Sequence, residues 1–436
     1  MKSRGLTAMA GAAAVALALT ACQQGSATAP DDADAGGDQA AGEPITLEFQ
    51  SLAGQPAAIA AVDDIVAAWN ADNPDVQVEI VPAGWDGIYD KLVAQFNGGA
   101  APDILHFEAA SIIPFGVDGY LADLTDHITP EVRDDVPEGI WESVTVDGQI
   151  IAYPTMLQSY MVFANTALLE AAGVEVPTGD TMTWDELREI ARATTSDGVY
   201  GLTWGLRSPT ATVMSLSMGF DGDFFEGEGT DVTIDVGDDE LAVPQRIHQM
   251  AYEDGSIDPV SLTQSGSEVL AGFYGGTAAM TVQGSFQAAN IADDAPEGFE
   301  WTVLPPLEGS ADAEQAANPQ TYSVNVDSEH VEESAEFLNF LMSAENLAAL
   351  NMADALIPTT ESARAELATM TADQTGWDQI LKSADHLTSP AFMHVGPYTQ
   401  WKDTIATPSL QRYLANEIDL EGLQTELTEG WEQTNR

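Results

Sequence analysis

Chemistry-bearing residues are unevenly supplied in this chain. Its 436 residues include 70 Asp and Glu, 13 Lys and Arg, six His and one Cys. No Gly-Lys pair exists, so no phosphate-cradling loop of the P-loop kind can form. A G-x-G-x-x-G turn after a strand and a G-x-S-x-G elbow are also absent. His106, His127, His248, His330, His386 and His394 make no tight ligand spacing. One cysteine excludes an internal disulfide framework and a multi-cysteine metal site. Asp221-Gly-Asp223 opens like a calcium loop, but Phe225 stands at the third ligand position and no Glu closes it, so it reads as a polar turn. These residues point to no catalytic group, metal or cofactor. With so many carboxylates, an acid–base pair cannot be picked out, and a secreted glycan hydrolase stays open as an alternative.

The elements that would position a site begin with an alternation. Ile45, Leu47 and Phe49 predict a strand, and Ile59, Val62, Val66 and Trp69 predict a helix stopped by Asn73-Pro74. Val76, Val78 and Ile80 alternate again, and Ile88, Leu92, Val93 and Phe96 form a second helical stripe ended by Gly98-Gly99. Ile104 to Phe107 follows as a short buried strand. Strand, helix, strand, helix, strand at this spacing implies right-handed crossovers and a parallel sheet. Ligands bind beyond the carboxyl ends of such strands, which draws attention to Gln50-Ser51, Trp85-Asp86 and Phe107-Glu108. Later, Thr183-Trp184-Asp185-Glu186 reads as a capping box. Phe337, Leu338 and Leu341 then fall at helical spacing, and Leu410 to Leu427 predicts helical packing at the end.

The formal charge is −57, with lysine only at positions 2, 91, 382 and 402. Nucleic-acid binding of the usual kind is excluded, because phosphate neutralisation needs clustered Lys and Arg. The depletion runs along the whole chain, which fits adaptation to high salt or a general solubility bias. At the start, Lys2 and Arg4 precede an uncharged apolar run from Leu6 to Ala21, short for a membrane span and suited to a secretion signal. The run ends Leu19-Thr20-Ala21-Cys22, which resembles a bacterial lipobox. Residues 1–21 then read as a lipoprotein signal peptide, with Cys22 as the lipidated residue, or as a plain signal peptide beside a stray cysteine. Residues 22–43 read as a flexible tether.

Several stretches occur in an order that carries a resemblance. They are Trp69-Asn-Ala-Asp-Asn-Pro74, Ala101-Pro-Asp103 and Gly119-Tyr-Leu121-Ala-Asp-Leu124. Asp147-Gly-Gln-Ile-Ile-Ala-Tyr153-Pro154, Phe163-Ala-Asn165 and Thr183-Trp-Asp-Glu-Leu187 come next. Phe273-Tyr-Gly-Gly276-Thr-Ala-Ala-Met280, Gly284-Ser-Phe286, Leu304-Pro-Pro306 and Ala335-Glu-Phe-Leu-Asn-Phe-Leu341 complete the series. In these the chain resembles the extracellular solute-binding proteins of bacterial ABC importers, in particular the sugar-carrying group of the family 1 type, from about Ile45 to the end.

The resemblance implies an α/β, two-lobed periplasmic-binding-protein-like fold. Each lobe is expected to be a mainly parallel sheet flanked by helices, joined by a hinge that closes around ligand. The lobes divide as 44–155 plus 302–360 and 156–301 plus 361–436. It implies a monomer without enzymatic activity or cofactor, held outside the cytoplasmic membrane through the lipid on Cys22. There it would bind a carbohydrate, or another polar solute such as a peptide or polyol, for an ABC permease. A sugar needs flat rings for its C–H face and planar polar groups for its hydroxyls. At family ligand positions stand Phe107, Tyr160, Phe286, Tyr322, Tyr398 and Trp401. The polar partners there are Glu108, Gln158, Arg207 and Gln283. Ala164-Asn165 stands where the family often has Tyr-Asn, and Ser285 intervenes before Phe286, departures that bear on ligand rather than fold.

If the charge is an adaptation to salt, screening should relieve its self-repulsion. The melting temperature is then expected to rise from low to multimolar salt, and an unchanged value would leave only the solubility reading.

Overall fold

In the computed structural model the described residues are 44–227 and 232–435. The expected signal peptide, tether and Cys22 lie outside them. Ten strands form the two main sheets: β1 Ile45–Ser51, β2 Val76–Pro82, β3 Ile104–Glu108, β4 Tyr153–Leu157, β5 Tyr160–Asn165, β6 Tyr200–Trp204, β7 Ala278–Gly284, β8 Trp301–Val303, β9 Gln320–Val324 and β10 Ile357–Pro358. The first sheet has the order β10-β4-β9-β3-β1-β2 and the second β8-β5-β7-β6.

The opening alternation folds as its periodicity predicts except at Val93, 36% exposed on the second helix, and at Ile59 on the first. β1 buries Leu47 and Phe49 completely and pairs parallel with β2 and β3. The intervening helix, Pro56–Asp72, buries Ala58, Val62, Ile65, Val66 and Trp69. Ile59, expected on that face, is 45% exposed. The helix carries apolar residues on more than one side, so spacing alone allowed two phasings and packing selected one. Thr183 forms both bonds of the capping box: its Oγ1 accepts the Glu186 N–H, and the Glu186 carboxylate accepts the Thr183 N–H.

The lobes are α/β, but their sheets are mixed where mainly parallel ones were expected. β9 runs antiparallel to β3 and β4, β10 antiparallel to β4, and β5 antiparallel to β7 and β8; β7 and β6 are parallel. For β9 and β5 the reason lies in the connections between lobes, whereas β10 is a two-residue edge strand fed by helix Ala344–Asp354 of its own lobe. A strand returning from the other lobe enters its sheet at the cleft end, opposite to strands fed by local crossovers, and therefore runs the other way. The boundaries differ too. β8 and the short strand Leu307–Glu308 pair with second-lobe strands, whereas 302 onwards was assigned to the first lobe. Helix Glu361–Met370 packs on helix Ala344–Asp354 of the first lobe, whereas 361 onwards was assigned to the second. Edge pairing and helix docking leave no mark in local periodicity.

Three segments cross between lobes, and buried polar groups fasten them together. Tyr160 donates its N–H to Gln315 Oε1 at 2.7 Å, and Gln315 Nε2 donates to the Tyr160 carbonyl at 3.1 Å. Ser285 N–H donates to the Ser159 carbonyl at 2.8 Å, and the Ser159 and Ser383 hydroxyls lie 2.6 Å apart.

The second lobe also depends on a close approach of helix to sheet. A Cβ at Gly201 in β6 would overlap the Ala191 carbonyl oxygen of helix Trp184–Thr194. Both sides are backbone, so neither can move alone. Gly201→Ala is expected to destabilise by about 3 kcal/mol, read as a lowered denaturation midpoint.

Candidate functional site

The carboxyl ends of β1 and β3 meet the first crossing at a cleft between the lobes, and Gln158, at the turn from β4 to β5, stands in the middle of it. On one side of Gln158 is a chamber of about 400 Å³ lined by Trp85, Phe286, Gln55, Asn290, Gln320 and Asp354. On the other is a narrower one of about 110 Å³ lined by Glu108, Ser111, Tyr160, Asn318, Tyr398 and Lys402.

The wider chamber offers rings and amides. Trp85 and Phe286 are 42% and 38% exposed, unusual for rings of their size, and both face this cavity. Phe286 reaches it because Gly284 lacks a side chain: a Cβ there would lie 2.5 Å from the Phe286 ring. Beneath the floor lies His106, 2% exposed. The Leu52 N–H donates to its Nδ1 at 3.1 Å, and its Nε2 lies 2.9 Å from Gln320 Oε1. Burial lowers the His106 pKa to about 4, against a smaller upward pull from Gln320. Burial also raises the Asp354 carboxyl.

The narrower chamber is polar. Glu108, at the end of β3, accepts from the Ser111 hydroxyl at 2.8 Å and from Asn318 Nδ2 at 3.3 Å. Asn318 Oδ1 in turn accepts the Ala110 N–H at 3.0 Å, so the carboxylate is held at the mouth. Burial first, and Glu108 after it, raises the pKa of the Tyr398 phenol. Burial also raises that of Tyr160. The Lys402 ammonium lies 5.9 Å from the Tyr398 ring centroid.

The sequence candidates distribute as follows. Glu108, Gln158, Tyr160, Phe286 and Tyr398 line the cleft, while Phe107 is 5% exposed just behind it, 6.2 Å from the Trp85 ring. Tyr322 and Trp401 do not reach it. Tyr322 is fully buried against Phe49 and His106. Trp401 is fully buried beside Phe225 and Trp431, its Nε1 donating to the Leu427 carbonyl. Both were named as stacking rings, and both fill cores, where large rings remove most apolar area from water. Gln283 is spent on the Gly266 carbonyl and the Thr281 hydroxyl. Arg207 is exposed in the second lobe and pairs with Glu268. The Glu268 carboxyl is held at about 2 by the Ser265 backbone N–H and then by Arg207. A cavity of about 480 Å³ at the open edge of β6, bordered by Asp197, Tyr200 and Glu268, belongs to the second lobe alone.

Sequence reasoning missed Gln320, Asn318 and Lys402. Gln320 and Asn318 come from the second crossing, whose spacing carries no motif. Lys402 carried one available signal, its rarity. Among the described residues no group of three or more His, Cys, Asp or Glu is arranged to hold a metal ion, and no helix is long and apolar enough to cross a membrane.

Residues 53–348 match the model of a family described as bacterial extracellular solute-binding protein. A Streptomyces antibioticus protein described as an uncharacterized lipoprotein in the oleD 5' region is 36% identical over 375 residues, 85% of this chain and 82% of that protein. The GacH receptor of Streptomyces glaucescens GLA.O, solved unliganded and with acarbose, matches with a TM-score of 0.74 at 20% identity, covering 90% of this chain and 98% of that one. The sugar-binding protein MalE of Xanthomonas citri matches with a TM-score of 0.78 at 18% identity, covering 90% and 97%. At these identities the two structures show a shared two-lobed fold.

His106 links the cleft floor to pH. Its folded pKa lies below the ordinary 6.5, so its contribution to stability is complete above pH 6.5. That contribution is lost as pH falls towards 4, because the unfolded chain takes up the proton first. The loss is on the order of 3 kcal/mol. Denaturant unfolding at pH 7 and pH 4.5 is expected to show it in the wild type and not in His106→Gln. Relief of carboxylate repulsion affects both proteins alike and cancels in the comparison.

Proposed function

We infer, from the premise that the chain belongs to the bacterial extracellular solute-binding proteins, that it captures a sugar or oligosaccharide between its lobes and hands it unchanged to an ABC importer. The observation that carries this reading is the pair of half-exposed rings, Trp85 and Phe286, facing a cavity edged by Gln55, Gln158, Asn290 and Gln320. Rings accept the C–H face of a pyranose, and amides both donate to and accept from its hydroxyls. Glu108 in the adjoining chamber, its carboxylate oriented by Ser111 and Asn318, can accept from further hydroxyls. Release without chemistry fits a cleft whose polar groups serve recognition. The Leu19-Thr20-Ala21-Cys22 sequence and the lipoprotein relative support lipid anchoring at the outer face of the membrane. A second reading, a charged polar solute, has one observation in its favour: Lys402 and Glu108 line the same narrow chamber.

Calorimetry with maltotriose, xylotriose, raffinose, sorbitol and a neutral tripeptide tests the reading, with product analysis alongside. Saturable binding of a saccharide without turnover is expected. Binding of none of the saccharides, or hydrolysis of one, would overturn it. Phe286→Ala and Trp85→Ala are each expected to weaken binding about tenfold, the value of one ring contact. Gly284→Ala should act in the same direction by displacing the Phe286 ring.

A further inference from the structure

The bonds around His106 determine more than its own protonation. The Leu52 donor is a backbone N–H, which can only donate, so Nδ1 must present a lone pair. A neutral imidazole with a bare Nδ1 carries its proton on Nε2. The group 2.9 Å from Nε2 must then be an acceptor, which fixes Gln320 with Oε1 towards the histidine. The Gln320 amide nitrogen is left on the other side, with no protein acceptor among the described residues. Both Leu52 and Gln320 line the chamber that holds Trp85 and Phe286. The imidazole has no freedom to reverse this order. It is buried, packed against Tyr322 at 4.7 Å and Trp85 at 5.7 Å between ring centroids.

We propose that His106 is a positioning residue that locks Gln320 as a hydrogen-bond donor into the aromatic chamber, so that the cleft selects ligands placing an acceptor oxygen there over ligands placing an ammonium. A ring, glycosidic or hydroxyl oxygen accepts from the two Gln320 N–H groups, whereas an ammonium has no lone pair to offer. The selectivity rests on the reading of the cleft as the ligand site; the order of donors behind it does not.

The two parts are tested separately on the full chain. Long-range proton–nitrogen correlation on the 15N-labelled protein at pH 7, without ligand, is expected to show the Nε2–H tautomer at His106. An Nδ1–H tautomer or an imidazolium would overturn the proposal. For the second part, two substitutions remove the ring and keep one bond each. Asn at 106 reaches only the Nδ1 position and can accept from Leu52. Gln reaches the Nε2 position and can donate to Gln320. With maltotriose as probe, His106→Asn is expected to bind about tenfold more weakly, and His106→Gln to restore affinity to within about twofold of wild type. Equal loss in both variants, at matched melting temperature, would mean a packing role and would overturn the proposal. In the wild type, maltotriose is expected to bind at least tenfold more tightly than the trisaccharide bearing an amine in place of one hydroxyl on each ring. Equal binding would overturn the selectivity. If no saccharide binds the wild type while the Nε2–H tautomer is seen, the cleft reading fails and the selectivity with it, and the donor order stands.

Discussion

The two lobes depend on the fastening of their three crossings. Gln315, 1% exposed, gives both ends of its amide to the main chain of Tyr160, while Ser159 takes the Ser285 N–H on its carbonyl and meets Ser383 through its hydroxyl. Pulling any crossing away would strand buried donors and acceptors, at about 1–3 kcal/mol each. The lobes can therefore turn about this point more readily than they can part from it. Gln158 directly precedes Ser159, so the side chain that stands between the two chambers is anchored at the pivot. Phe286 directly follows Ser285, so the exposed ring is anchored there as well. The groups at the centre of the cleft keep their spacing because the fastening that joins the lobes also holds them.

Legibility in the sequence followed the range of the interactions. The first strands and helices were readable because alternation and helical spacing report on burial one element at a time. The end-of-strand argument brought Trp85 and Glu108 to notice because a parallel βαβ start fixes which strand ends share an edge. Tyr322 and Trp401 had the right residue type and lie in cores, since type alone does not separate a ring that faces Phe49 from one that faces a cavity. Arg207 stood among the polar candidates through the resemblance, and its partner in the structure is Glu268. The partners of β9, the role of Gln315 and the bonds of His106 all join residues more than 50 positions apart. No local pattern encodes them.

Charge divides the molecule into two regimes. Apart from the buried Asp254, which pairs with Arg188 and Arg192, the ion pairs of the described residues, such as Arg133 with Glu138 and Arg412 with Glu426, involve exposed or half-exposed side chains, where such pairs contribute little and salt weakens them. The surplus of carboxylates repels over distances that a Debye length of about 8 Å cuts off at physiological salt. The wider chamber is built differently. In a chain with 70 acidic residues its lining carries one carboxyl, Asp354, among Gln55, Gln158, Gln320 and Asn290. Neutral amides form hydrogen bonds whose strength depends on geometry and dryness rather than on ionic strength. The amides of this chamber carry no charge for salt to screen, in contrast to the carboxylates that crowd the rest of the chain.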